Sequence, residues 1–207
     1  MGLIKIRAWL CAGMILLPAA AGEQTPPAKD KPFPERSAEQ VEAAIDKALE
    51  YVEAAQGADG SWQNAYRVER EWETQWALLS FLSNGHTPRN GPYRETVEKG
   101  LAWLAQNADM TKFLDRYGRD VEVTRVRSLF TLLQAVGFGT VKVQNQDLVI
   151  LCERGVQELL RLQHRNQEGA RIATQDAEFL AGGWGYVEES YWCTLCLLSA
   201  RQCGIKV

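Results

Sequence analysis

The sequence predicts an all-α fold built from helix pairs stacked in two layers. Three observations carry that expectation. A segment with the same apolar spacing occurs three times, aligned on Ala48, Gly100 and Gly155 in DKALEYVEAAQ, EKGLAWLAQNA and ERGVQELLRLQ. Each copy is followed by a second apolar run closing on glycine, at Gly85, Gly137 and Gly204, over intervals of 37, 37 and 49 residues. The first run of each pair is amphipathic, whereas the second is apolar nearly all round. Self-similarity at such a period marks a repeat architecture, in which each unit buries its apolar face against its neighbours.

Residues 1–22 stand outside the repeats. Lys5 and Arg7 precede the apolar AWLCAGMILL, and Ala19 and Ala21 follow, the order of a secretory signal peptide. The apolar stretch is shorter than the ~20 residues of a membrane span. Large residues beside Cys11 speak against lipidation. Residues 23–37 hold four prolines and no helical period, which reads as an extended linker. Residues 38–207 then form the repeat domain, about 170 residues and enough for a real core. Loss of the leader leaves 21 basic against 26 acidic side chains, a balance of −5 that argues against nucleic acid as a partner.

In the first repeat Val41, Ala44, Ile45, Ala48, Leu49 and Val52 share one stripe, and Ser37 with Gln40 offers a capping box. Val97, Leu101 and Leu104 repeat the stripe, as do Val156, Leu159 and Leu160. The second helices, in WETQWALLSFL, SLFTLLQAVGF and SYWCTLCLLSA, lack a polar face, so burial on both sides is expected. Acids stand at the start of each: Glu69, Glu71 and Glu73; Asp120 and Glu122; Glu188 and Glu189. They complement the positive end of the helix dipole, or they form a ring of carboxylates at the mouth of a cavity. Cys152, Cys193, Cys196 and Cys203 read as small buried hydrophobes, with one disulfide as the alternative. No second Cys/His pair accompanies Cys193 and Cys196, so no metal is expected.

Around Lys47 the sequence KALEYVEAAQGADGSW, with Tyr51, Val52, Gln56, Gly60 and Trp62, resembles the QW motif of triterpene cyclases. Ala48 departs from that motif, where glycine is usual. The second copy keeps Lys99, Gly100, Trp103 and Leu104 but loses the glutamine and the G-x-W. The third keeps Arg154, Gly155, Leu159 and Gln163, and its Gly182-Gly183-Trp184 follows an 18-residue insertion. With SNGHTPRNGPYRETVEKGLAWL, the chain from about residue 40 is similar to secreted bacterial proteins with prenyltransferase and squalene oxidase repeats. The resemblance implies an α/α toroid, here three hairpins of a partial ring. It implies structural roles for Gln56, Gly60 and Trp62, and for Gln163, Gly182 and Trp184, each set tying a helix end to the loop after it.

The catalytic signatures of such relatives are incomplete. The D-x-D-D acid of alkene-protonating cyclases has its nearest counterparts in Asp120-Val121-Glu122-Val123 and Glu71-Trp72-Glu73-Thr74, and neither has the pattern. That chemistry requires a carboxylic acid kept protonated in an apolar cavity. The zinc ligands of protein prenyltransferases have no counterpart set, since His86 and His164 read as residues of loops after helices. Asp120, Glu122, Glu71 and Glu73 are thus the weak catalytic candidates, and no cofactor is implied. Trp72, Trp76, Tyr191 and Trp192 are the candidate binding aromatics of the inner face, suited to cation–π contact or to a plain core.

The leading functional expectation is an exported, non-catalytic module binding a protein or apolar ligand on a concave face. The alternatives are a cyclase- or prenyltransferase-like enzyme acting on an isoprenoid and a polysaccharide-processing toroid. Membrane contact is expected only through an uncleaved leader. Three helix pairs make about half the ring implied by the resemblance, so the chain is either a fragment or an open half-ring prone to self-association.

Overall fold

The computed structural model describes residues 36–63, 70–114, 121–169, 184 and 187–207, with side chains at 164–169 excepted. The leader, nearly all of the linker, Glu69, Asp120 and Gly182 lie outside the described residues. Two units divide the chain, Met1–Lys47 and Ala48–Val207. In the first, the expected capping box opens α1 (Ala38–Ala54): Ser37 N–H donates to Gln40 Oε1 at 3.1 Å and Gln40 N–H to Ser37 Oγ at 3.2 Å.

Among the described residues of the second unit the regular elements are helices, apart from one small hairpin and two isolated bridges, Thr87 with Asn90 and Leu114 with Val121, so the all-α expectation holds. The helices are α2 (Arg70–Ser83), α3 (Arg94–Asn107), α4 (Val123–Gly137), α5 (Leu148–Gly169) and α6 (Val187–Gln202). Between α4 and α5, β1 (Lys142–Val143) and β2 (Gln146–Asp147) pair antiparallel, Lys142 opposite Asp147 and Val143 opposite Gln146. The helical pattern gave no sign of this hairpin. Its positive-φ residue is Gln144, buried Val143 anchors it, and Asp147 caps α5 by accepting Ile150 N–H at 3.1 Å.

Packing follows the alternation of patterns. The apolar helices α2, α4 and α6 lie side by side with α4 between the others; α3 packs on α2 and α4, and α5 on α4 and α6. The core comes from their facing stripes, including Leu78, Phe81, Val97, Leu101, Leu104, Leu129, Leu132, Leu133, Val156 and Leu159. Two expectations need correction. Of the α1 stripe residues in the second unit, Leu49 is buried, Val52 half-buried and Ala48 exposed. Burial on both sides holds for α4 but not for its flanking helices. Trp72 and Trp76 of α2, and Tyr191 and Leu198 of α6, are exposed. The reason is position: α4 has α2 and α6 on its flanks, and each of those meets α4 on one flank only.

Each inner helix ends in the same cap. Gly85, Gly139 and Gly204 have φ of 79°, 87° and 75°. The following N–H of His86, Thr140 and Ile205 reaches back to Phe81, Ala135 and Ala200 O, at 3.0, 2.9 and 2.9 Å. This is the 6→1 bond of a Schellman cap, with glycine at the left-handed position. The closing glycine of the second repeat is therefore Gly139 and not Gly137, which lies in the last turn of α4. The repeat intervals become 37, 39 and 49 residues.

Indole clamps and an arginine cage as the candidate functional site

The motif residues near Trp62 form a clamp. Gln56 Nε2 donates to Gly60 O at 3.0 Å and to Thr96 O at 2.9 Å, tying the loop after α1 to the first turn of α3. The Trp62 indole N–H donates to Val52 O at 2.6 Å, and its backbone N–H donates to Thr74 Oγ1 of α2 at 3.1 Å. Asp59 Oδ1 accepts the Ser61 hydroxyl and N–H, bonds that with the Arg70 guanidinium hold its carboxyl below the usual range.

A second indole bond resembles the first, here to a carbonyl inside α5 and not at the helix end that was expected. The Trp184 indole donates to Leu159 O at 2.7 Å, and Trp184 N–H to Ser190 Oγ of α6 at 3.3 Å. Val52 and Leu159 occupy the same place in the repeat, four residues after Ala48 and Gly155. Gln163, the counterpart of Gln56, is half-buried. In the middle repeat, which lacks the tryptophan, the matching carbonyl, Leu104 O, accepts the N–H of the cap residue Ala108 at 2.9 Å.

Packing accounts for the glycines of the motif. A Cβ on Gly100 would lie 2.7 Å from Trp62 Cζ3 and 2.9 Å from Leu78 Cδ2; one on Gly155 would lie 2.9 Å from Leu129 Cδ1. Ala48 is exposed, which explains why the first copy tolerates a methyl group.

The second constellation lies between α2, α4 and α6. Arg127 of α4 is buried, with a side chain 8% exposed, and its guanidinium carbon stands 4.6 Å from the ring centroid of Trp72, 5.6 Å from Trp76 and 4.8 Å from Trp192. Arg127 Nη2 donates to Glu188 Oε1 of α6 at 2.6 Å. Its Nε and Nη1 find no hydrogen-bond acceptor among the described residues. An unmet buried donor costs about 1–3 kcal/mol, and cation–π contact with several indoles offsets that at about 0.5–2 kcal/mol each. Phe130 and Tyr191 extend the cage by edge contacts with Trp192, centroids 5.7 and 5.5 Å apart. Three of the four expected aromatics thus converge on one cation, with Tyr191 beside them. Sequence reasoning missed the cation, although a lone pair of arginines in the otherwise apolar VTRVRSLFTLLQAVG was the available signal.

The acids that begin the inner helices are tied to neighbours. Glu71 accepts the Ser128 hydroxyl across the α2–α4 seam, where Gln75 Nε2 also donates to Ser128 Oγ and Thr124 O, each at 2.7 Å. Glu122 pairs with Arg125 at 3.0 Å, Glu188 with Arg127, and Glu73 is half-buried in the first turn of α2. Of the acidic candidates, Glu71 and Glu122 are thus held by different neighbours, and Asp120 lies outside the described residues. Among the described residues no group of His, Cys, Asp and Glu is arranged to hold a metal, and no helix is long and apolar enough to cross a membrane. The His86 ring packs against Phe81 and Tyr93. His164 lies within α5, not in a loop after it, because that helix runs on to Gly169. Burial raises all four thiols, no disulfide joins them, and Cys196 donates to Val126 O.

The chain is similar to two lanosterol synthases. It is 29% identical over 145 residues to the human enzyme, covering 66% of this chain and 19% of that protein. It is 33% identical over 61 residues to an Aspergillus fumigatus lanosterol synthase, covering 30% of this chain and 8% of that protein. The match thus spans about a fifth of the human enzyme's length. No family model and no solved structure matches the chain. This distant similarity supports the terpenoid-cyclase superfamily.

Proposed function

We propose that this chain is an exported, non-catalytic binding module of the terpenoid-cyclase type, with its helix pairs arranged as part of an α/α toroid. The lanosterol synthase similarity and the two indole clamps support the superfamily. The observation that carries the non-catalytic reading is Arg127. An aromatic face stabilises a substrate carbocation only if its π-electron density is free to meet that charge. Here the indoles of Trp72, Trp76 and Trp192 already surround a permanent cation belonging to the chain. The acids add to this: Glu71 accepts the Ser128 hydroxyl, and Glu122 and Glu188 pair with Arg125 and Arg127, so each is engaged by a side chain of the chain itself. The face then serves for binding. The basic-then-apolar leader with its Ala19 and Ala21 exit supports export.

Incubation of the purified chain with squalene and with prenyl diphosphates tests the reading. Unchanged recovery of both is the expected result. Turnover abolished by Glu71→Gln or Glu122→Gln would favour an isoprenoid-converting enzyme, the reading that the lanosterol synthase similarity otherwise recommends. Intact-mass analysis of the chain recovered from the cell envelope tests export, with the expected N-terminus close to Glu23.

A further inference from the structure

We propose that the Arg127 cage is a binding site for an amphipathic oxyanion, a carboxylate or phosphate carried on an apolar chain; this rests on the binding reading above and names its ligand class. Arg127 is buried, yet among the described residues it makes one hydrogen bond, from Nη2 to Glu188 Oε1 at 2.6 Å. Nε shares with Nη2 the guanidinium edge that presents two parallel N–H bonds, and Nε has no acceptor among the described residues. Once Glu188 is displaced, two oxygens of one carboxylate or phosphate can engage both donors of that edge. Glu188 uses half of it, and its side chain is 60% exposed, so its carboxylate is the displaceable group that holds the place of the ligand.

The surroundings determine the rest of the ligand. Trp72 is 38% and Trp76 44% exposed, and Tyr191 is exposed beside Trp192. These rings offer an apolar surface contiguous with the buried cation, where an alkyl chain leaves water while its head group stays on Arg127. A free inorganic anion would use the head-group contacts alone. A neutral alkyl alcohol would use the rings alone. Each added methylene on the platform is worth roughly a threefold gain in affinity.

Titration of the full chain with octyl phosphate and octanoate, below their micelle concentrations, tests this through indole fluorescence and calorimetry, with inorganic phosphate and octanol as the single-feature probes. The expected result is saturable binding of both octyl oxyanions, at least about tenfold tighter than either single-feature probe. Arg127→Met should abolish that preference for charge. Glu188→Gln, at an exposed position that leaves Arg127 in place, should tighten oxyanion binding by roughly tenfold by removing the competing carboxylate. Octanol binding as tightly as octyl phosphate, or an affinity unchanged in Glu188→Gln, overturns the proposal, and the second readout stands even where Arg127→Met does not fold. Turnover of squalene would overturn the non-catalytic reading alone, whereas absent oxyanion binding overturns only this inference.

Discussion

At Trp62 and Trp184 a single N–H fixes where a loop returns to its helix. Trp62→Phe keeps one aromatic ring but removes the pyrrole half of the indole with its N–H, leaving Val52 O without its side-chain partner. A loss of about 1 kcal/mol is expected on denaturant unfolding, with a similar loss for Trp184→Phe. Gly100→Ala should cost more, about 1–3 kcal/mol, because the added methyl meets the Trp62 ring and Leu78 where neither has room. Asp109 gives a residue-scale pH prediction. Its carboxyl accepts the Thr111 hydroxyl and N–H and pairs with Lys112, which lowers its pKa to about 2. A folded pKa below the unfolded value contributes stability that is complete above about pH 4 and lost as pH falls toward 2. Thr111→Val removes the largest of these contributions. Its deficit relative to the parent should be seen at pH 5 and should shrink toward pH 2 in acid unfolding curves. The motif residues were legible in the sequence because each has a fixed spacing. Arg127 was not, since a charge within an apolar run reads as an interruption until the flanking helices bring their indoles to it.

At the scale of the element, the three inner helices share one stop signal, and it discriminates between two glycines only two residues apart. Gly139 has φ of 87°, while Gly137 is helical, and a Cβ there meets only Cys203 Sγ at 3.5 Å, an ordinary contact. Gly139→Ala should therefore destabilise by about 1–2 kcal/mol, whereas Gly137→Ala should be neutral or stabilising by up to about 1 kcal/mol. Equal losses in thermal unfolding would contradict the cap assignment. Apolar periodicity alone misplaced this stop by two residues, because both glycines follow the same greasy run. The β1–β2 hairpin was illegible for a related reason: two-residue strands carry no period. The extension of α5 past Gln163 was hidden by the insertion, which read as loop.

At the scale of the molecule, alternation between striped and wholly apolar helices was enough to predict the all-α class, and of the apolar helices α4 alone has the expected burial on both sides. What the pattern did not convey is which apolar faces stay exposed. A tryptophan facing a neighbour and one facing solvent have the same hydropathy, so Trp72 and Trp76 read as buried although each is more than a third exposed. The function proposed here depends on that face and on the cation set within it. The most direct measurement is the proton–nitrogen NMR spectrum of the arginine Nε–H groups. The account predicts one resonance, lost in Arg127→Met, that is shifted upfield by the indole ring currents, protected from solvent exchange, and returned toward the others by Trp72→Leu. An Arg127 resonance at the ordinary position and in rapid exchange would contradict it.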